Sequence, residues 1–292
     1  MARLLGTVAL LAGLALGDEG PVAAYNRACV AARSGRREEA IEALRVAVER
    51  GFAFTATLLR DTDLDPIREH PAYASLLARV RENNARALAA FRPRAEKAKV
   101  LLYAPPDRSR PAPLVVALHP SGGTAATFAP LFRALARERG AALAVPQGVN
   151  PSGDGYDWGV VEQGGLLVEL AVERARAAYA IDPARVVLAG YSNGASTAFV
   201  LALRNPRAYA GVLSIAGFYD ERVAPVPSGT TLPRFAILTG ALDPDSESNR
   251  AGAAALKANG GAVHLRVYES LGHALPSDRD RELGEALEFL LR

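Results

Sequence analysis

Ser192 stands in Ala189-Gly190-Tyr191-Ser192-Asn193-Gly194-Ala195, with one glycine two residues before it and another two after. Glycine at those places lets a chain turn sharply out of a strand and into a helix, leaving the serine oxygen exposed at the tip. The flanks have the required character. Arg185-Val-Val-Leu-Ala189 reads as a short buried strand, and Ala195 to Leu203 reads as a helix. A serine hydroxyl is a weak nucleophile, so covalent chemistry needs a base to take its proton and an acid to hold that base in one tautomer. The histidines are His70, His119, His264 and His273. His264 falls inside a strand-like run, and His70 lies in an early helical stretch as a helix-start or surface residue. His119 ends an early strand. His273, in Glu269-Ser-Leu-Gly-His-Ala274, sits in a late loop with small neighbours on both sides, which lets it approach Ser192 closely. His273 is the expected base. Phe235-Ala-Ile-Leu238 reads as a strand and runs into Thr239-Gly-Ala-Leu-Asp-Pro244. Asp243, just beyond that strand, is the favoured acid, with Asp245 and Asp220 as competing choices.

The elements that must position these groups alternate between strand and helix. Lys99 to Ala104 begins the series as a strand, and Leu114-Val-Val-Ala-Leu118 follows as a near-continuous apolar run, as expected of a strand covered on both faces. Phe128 to Glu138 reads as a helix, Ala141 to Val145 as a strand and Leu166 to Tyr179 as a helix. Val212 to Ala216, Phe235 to Leu238 and Val263 to Tyr268 continue the strands, and Arg281 to Leu291 closes the chain as an amphipathic helix. This alternation predicts an α/β fold with an open, doubly wound, mostly parallel sheet. No glycine-rich loop follows the first strand in dinucleotide fashion, and none ends in the Lys-Ser/Thr of a phosphate loop. No metal or organic cofactor is expected.

Half of the 292 residues are hydrophobic and 22% are charged, which suits a globular chain, and the net charge of +3 is a near balance. Without zinc-finger spacing or an arginine-rich arm, nucleic acid is not an expected partner. Met1-Ala-Arg3, the apolar run Leu4 to Leu16 and the small residues around Gly17 have the three parts of a secretory signal peptide. Residues 1–17 are therefore expected to be removed on export to a bacterial periplasm or the medium, leaving no stable membrane span in the mature chain. The single cysteine, Cys29, excludes an internal disulfide and reads as a small buried side chain.

Residues 18–94 are dominated by helix formers. Tyr25 to Arg33 and Arg37 to Arg50 are two candidate helices around Gly35, with Ala40, Leu44, Ala47 and Val48 on one face. The segment from Ala28 through Gly35 to Ala47 resembles a tetratricopeptide repeat, although only one such unit is visible and the family's large aromatic in the first helix is not cleanly in place. A lone helix pair cannot bury its own stripe, so it needs neighbours. Pro71 to Leu88 supplies one, with Tyr73, Leu76, Leu77 and Val80 sharing a face. This helical prefix either packs as a structural unit or offers a surface for protein contact. Phe91-Arg-Pro93-Arg94 breaks the helical pattern, which puts the catalytic region at 95–292.

From about Lys99 onward the chain resembles the α/β-hydrolase superfamily, and within it the secreted carboxylesterases and polyester-depolymerase-like esterases. The matching pieces are Leu118-His119-Pro-Ser-Gly-Gly123, Gly190-Tyr-Ser-Asn-Gly194, Gly240-Ala-Leu-Asp-Pro244 and Gly272-His273. The order Ser192, Asp243, His273 is the one that superfamily uses. The resemblance implies an oxyanion hole built from the backbone N–H of Asn193 and of Ser121. Pro120, where relatives commonly have glycine, has no N–H to donate, and Gly122 is the alternative donor. Of the remaining residues near this edge, His119 and Tyr191 are candidate contacts. Trp158, in the loop from Pro146 to Gly165, faces either substrate or the core, and Tyr156 and Asp157 are weaker choices. The expected activity is hydrolysis of carboxylic esters with short acyl, aromatic or small polyester character. A peptidase or amidase on the same fold, and a non-catalytic binding protein using the helical prefix, are the alternatives.

Overall fold

The computed structural model describes residues Glu19–Arg292. The expected signal peptide lies outside the described residues. The chain divides into two compact units, one reaching Ala85 and the other running from Arg86 to Arg292.

In the first unit, α1 (Pro21–Arg33) and α2 (Arg37–Glu49) form a helix pair, followed by α3 (Thr55–Arg60), a 3-10 turn (Thr62–Ile67) and the start of α4 (Pro71–Ala95). Alanines make the pair close: Ala24, Ala28, Ala31, Ala40, Ala43 and Ala47 are fully buried. Larger side chains fill in around the alanines, Leu44 of α2 among them. Tyr25 stacks on Phe52 at 4.4 Å, and Leu58, Leu64 and Ile67 fill the remaining space. Cys29 is buried and donates to Asp61 at 3.4 Å; burial and that carboxylate push its thiol up to about 12. His70 immediately precedes α4, with its Nδ1 accepting from the Ala72 N–H at 3.1 Å. The helix runs on through Pro93 to Ala95, further than the sequence pattern suggested. So near a helix end the missing N–H of a proline costs only one late hydrogen bond.

The second unit is a seven-stranded sheet in the order β1-β3-β2-β6-β7-β8-β9. The strands are β1 (Val100–Tyr103), β2 (Ala112–Leu118), β3 (Ala142–Pro146), β6 (Ile181–Tyr191), β7 (Gly211–Ile215), β8 (Arg234–Gly240) and β9 (Val263–Tyr268). Only β1 is antiparallel to its neighbour; every other pairing is parallel. The strands' period of two divides the core between the faces. Leu114, Val116 and Leu118 of β2 face α6 (Val161–Ala178), α7 (Asn193–Arg204) and α8 (Ser246–Ala258), whereas Val115 and Ala117 face α5 (Ala125–Glu138) and α9 (Arg279–Leu291). The sheet is therefore doubly wound, as the continuous apolar runs require. α5 begins three residues earlier than the apolar pattern shows, because Thr124 and Thr127 close a capping box at its N-terminus. Between β3 and α6 the chain forms a small antiparallel hairpin, β4 (Asn150–Ser152) and β5 (Gly155–Asp157), too short to be visible as alternation. Among the described residues, no helix is long and apolar enough to cross a membrane.

Candidate active site

Parallel strands bring their C-terminal ends to one edge, and the loops at that edge hold the residues that could do chemistry. Tyr191 ends β6 and Asn193 begins α7, so Ser192 occupies the turn between them, with φ 55° and ψ −122°. That is left-handed backbone in a residue that is not glycine, a strain held in place by its surroundings. The Ser192 N–H donates to the Ile215 carbonyl at 2.9 Å, which ties the turn to β7. The flanking glycines have a direct steric reason. A Cβ on Gly190 would strike the backbone of Gly194 and Ala195, and one on Gly194 would strike the Leu118 and His119 carbonyls. Backbone cannot swing aside as a side chain can. G194A is accordingly expected to cost about 3 kcal/mol or more of stability, read by urea unfolding, together with most of the activity.

His273 comes from the loop after β9 and reaches Ser192. Its Nε2 lies 2.8 Å from Ser192 Oγ, and its Nδ1 lies 3.0 Å from Asp243 Oδ2. Asp243 follows β8 and is buried, and its other oxygen accepts the Asp245 N–H at 2.9 Å. Of the competing acids, Asp220 accepts the Arg222 N–H at 2.9 Å in a turn of its own. Asp245 stands close to Asp243 and His273, but the hydrogen bond to the imidazole is made by Asp243. Tyr191 packs its ring against His273 at 5.6 Å between centroids and donates its hydroxyl to the His273 carbonyl at 3.0 Å. Burial, with the Asp243 carboxylate, raises the Tyr191 phenol and keeps it a donor. This support of the histidine loop was not legible in the sequence.

The loop after β2 lies beside the turn. Gly122 N–H donates to the Tyr156 carbonyl at 3.1 Å and Gly123 N–H to the Pro120 carbonyl at 3.0 Å. The Ser121 N–H has no protein acceptor among the described residues, and the same holds for Asn193 N–H at the open first turn of α7. His119 is fully buried below this loop. Its Nδ1 donates to the Pro120 carbonyl at 2.8 Å, and its Nε2 accepts from Gly148 N–H at 3.0 Å. Burial lowers its pKa, so it stands neutral with both ring nitrogens committed. Trp158 is equally buried and donates to the His119 carbonyl at 2.8 Å, so it pins the hairpin loop to the core and does not face solvent. Gln147 joins the two layers, with Oε1 accepting the Ala125 N–H at 2.9 Å and Nε2 3.2 Å from His119 Nε2. Sequence reasoning missed it, because a lone glutamine after a strand carries no pattern.

A family model described as Phospholipase/Carboxylesterase matches residues 166–291, and one described as the A/B hydrolase-like N-terminal domain matches residues 18–87. No curated protein is a significant match in sequence. Among solved structures, esterase PE8 is similar at a TM-score of 0.57 and 18% identity, over 67% of this chain and 100% of that one. The phospholipase/carboxylesterase from Dyadobacter fermentans is similar at 0.55 and 21%, over 66% of this chain and 97% of that one. The Bacillus cereus carboxylesterase is similar at 0.54 and 19%, over 70% and 99%. At these identities the likeness is one of fold, and the sheet order and helix placement agree with it. The chain has the α/β-hydrolase fold, its residues 166–291 match the phospholipase/carboxylesterase family, and it is a carboxylic ester hydrolase.

Proposed function

We propose that ester cleavage proceeds through a Ser192–His273–Asp243 triad and an acyl-enzyme. The observation that carries this reading is the unbroken hydrogen-bond chain from Ser192 Oγ through both nitrogens of His273 to the buried Asp243 carboxylate. His273 Nε2 takes the proton of Ser192 as Oγ attacks the carbonyl carbon. The N–H groups of Ser121 and Asn193 stabilise the oxyanion, while Asp243 holds the imidazole and offsets its positive charge without accepting the proton. The alcohol leaves with the proton from His273, and water, activated by the same base, hydrolyses the acyl group from Ser192.

The choice of Ser121 over Gly122 is supported by the engagement of the Gly122 N–H with Tyr156. S121A keeps the N–H and is expected to remain within about threefold of the parent. S121P deletes it and is expected to lower kcat by about 10²–10³-fold at similar thermal stability. Equal activity of the two variants would move the donor elsewhere.

The substrates proposed are soluble esters with short acyl, aromatic or small polyester groups. The short hairpin between β3 and α6, where a lipase could carry a long apolar lid, favours them. Hydrolysis rates across matched ester and amide panels, with S192A as the blank, test both the mechanism and the preference for esters over amides. Export before action is part of this reading, and a mature N-terminus near Asp18 is its expected mark.

A further inference from the structure

A groove of about 580 Å³ runs along α5, with Tyr191, the residue before Ser192, in its wall. At one end it is walled by Pro120 and Gly123 of the loop after β2, by Tyr191, and by Leu275, two residues past His273. Its floor is one face of α5: Thr127, Leu131, Ala134, Leu135 and Glu138 recur at helical spacing. At the rise of an α-helix, Thr127 to Glu138 covers about 16 Å, much more than a methyl or ethyl group needs.

The groove lies on the histidine's side of Ser192. Tyr191, which forms part of its wall, packs directly on the His273 ring, and Tyr191 and Leu275 both join the apolar cluster between the sheet, α5 and α9. Trp158 and Tyr219 pack in the cluster on the opposite face. The two halves of an ester separate on these same sides. As the bond from Ser192 Oγ to the acyl carbon forms, the bond from that carbon to the alcohol oxygen breaks. The alcohol oxygen must take its proton from His273 Nε2, so it departs beside the histidine. The acyl part stays bonded to Ser192.

We infer that this groove binds the alcohol portion of the substrate, and that the enzyme favours esters of extended, apolar, uncharged alcohols over esters of long acids. The inference rests on the triad proposed above. Leu131, Ala134, Leu135 and Leu275 offer an apolar chain contacts along most of the groove's length. The far end carries Arg279, but Asp280 lies 3.9 Å from it and Glu138 faces the same space. One cation between two carboxylates makes no anion site, so a charged head group gains nothing there.

Octyl acetate and ethyl octanoate are isomers, alike in size and hydrophobicity and opposite in which half is long, which makes them the test. The full-length protein is expected to show a kcat/KM at least about tenfold higher on octyl acetate. L131W, which fills the middle of the groove, and A134D, which puts a carboxylate on its exposed floor, should each lower the octyl acetate to ethyl octanoate ratio by about tenfold. Circular dichroism and a thermal melt establish that each variant is folded. A parent that prefers ethyl octanoate overturns the inference. So does a ratio that neither variant moves, or a loss confined to ethyl octanoate. If S192A still hydrolyses either ester, the triad reading itself has failed and takes the inference with it; with S192A inactive, the ratio judges the groove alone.

Discussion

Alanine at Ser192 or at His273 is expected to lower kcat on an activated ester by about 10⁴–10⁶-fold, equivalent to roughly 5–8 kcal/mol of transition-state stabilisation. On the proposed triad each substitution ends covalent catalysis by itself: S192A removes the attacking oxygen, and H273A removes the imidazole that lies within hydrogen-bond reach of it, at 2.8 Å. The double variant should be scarcely worse than either single one, because groups acting in one proton transfer lose their effect together. Residual activity above water would come from binding and from the two N–H donors. A fluorophosphonate probe with peptide mapping should label Ser192 in the parent and leave H273A essentially unlabelled. Label on another serine, with S192A still active, would overturn the assignment.

The second large effect is expected at Asp243, and the geometry explains why asparagine is the informative replacement. One carboxylate oxygen accepts the Asp245 N–H and the other faces His273 Nδ1. In D243N the Asp245 N–H still requires an acceptor, so it draws the amide oxygen and turns the NH₂ toward the histidine. Nδ1 must then be the unprotonated nitrogen, which puts the ring proton on Nε2, facing Ser192, where a base is needed. A fall of about 10⁴-fold in kcat with little change in thermal stability is expected. D245N and D220N should stay within about tenfold of the parent. A dead D245N or D220N beside a near-normal D243N would leave the nucleophile standing and reassign the acid.

Much of this architecture was legible from residue patterns. β2 and the end of β6 announced themselves as unbroken apolar runs, since parallel strands buried on both faces have no polar face to alternate with. Gly190 and Gly194 were readable for a related reason. Backbone packs against backbone on both sides of Ser192, and only glycine fits there. The late loop around His273 was identifiable because few histidines compete for the role and its neighbours are small. Other features carried no signature. The hairpin β4–β5 has only three residues per strand. Thr124 and Thr127 extend α5 through hydrogen bonds that apolar spacing does not register.

The sequence by itself therefore determined the strand–helix alternation, the turn that exposes Ser192 and the order of its partners along the chain, because these depend on local sterics and periodic burial. Only the tertiary structure distinguishes the contacts of the three candidate aspartates: Asp243 meets His273 Nδ1, whereas Asp220 meets the Arg222 N–H, a difference not visible in residue type or loop setting. It also separates Ser121 from Gly122 in hydrogen bonding, through a carbonyl at Tyr156 in a distant hairpin that claims the Gly122 N–H. Trp158 was resolved the same way, by a hydrogen bond to the His119 carbonyl that holds the indole inside. Each of these outcomes depends on where a particular donor or acceptor from a remote segment arrives, and a linear pattern of residue types does not encode that position.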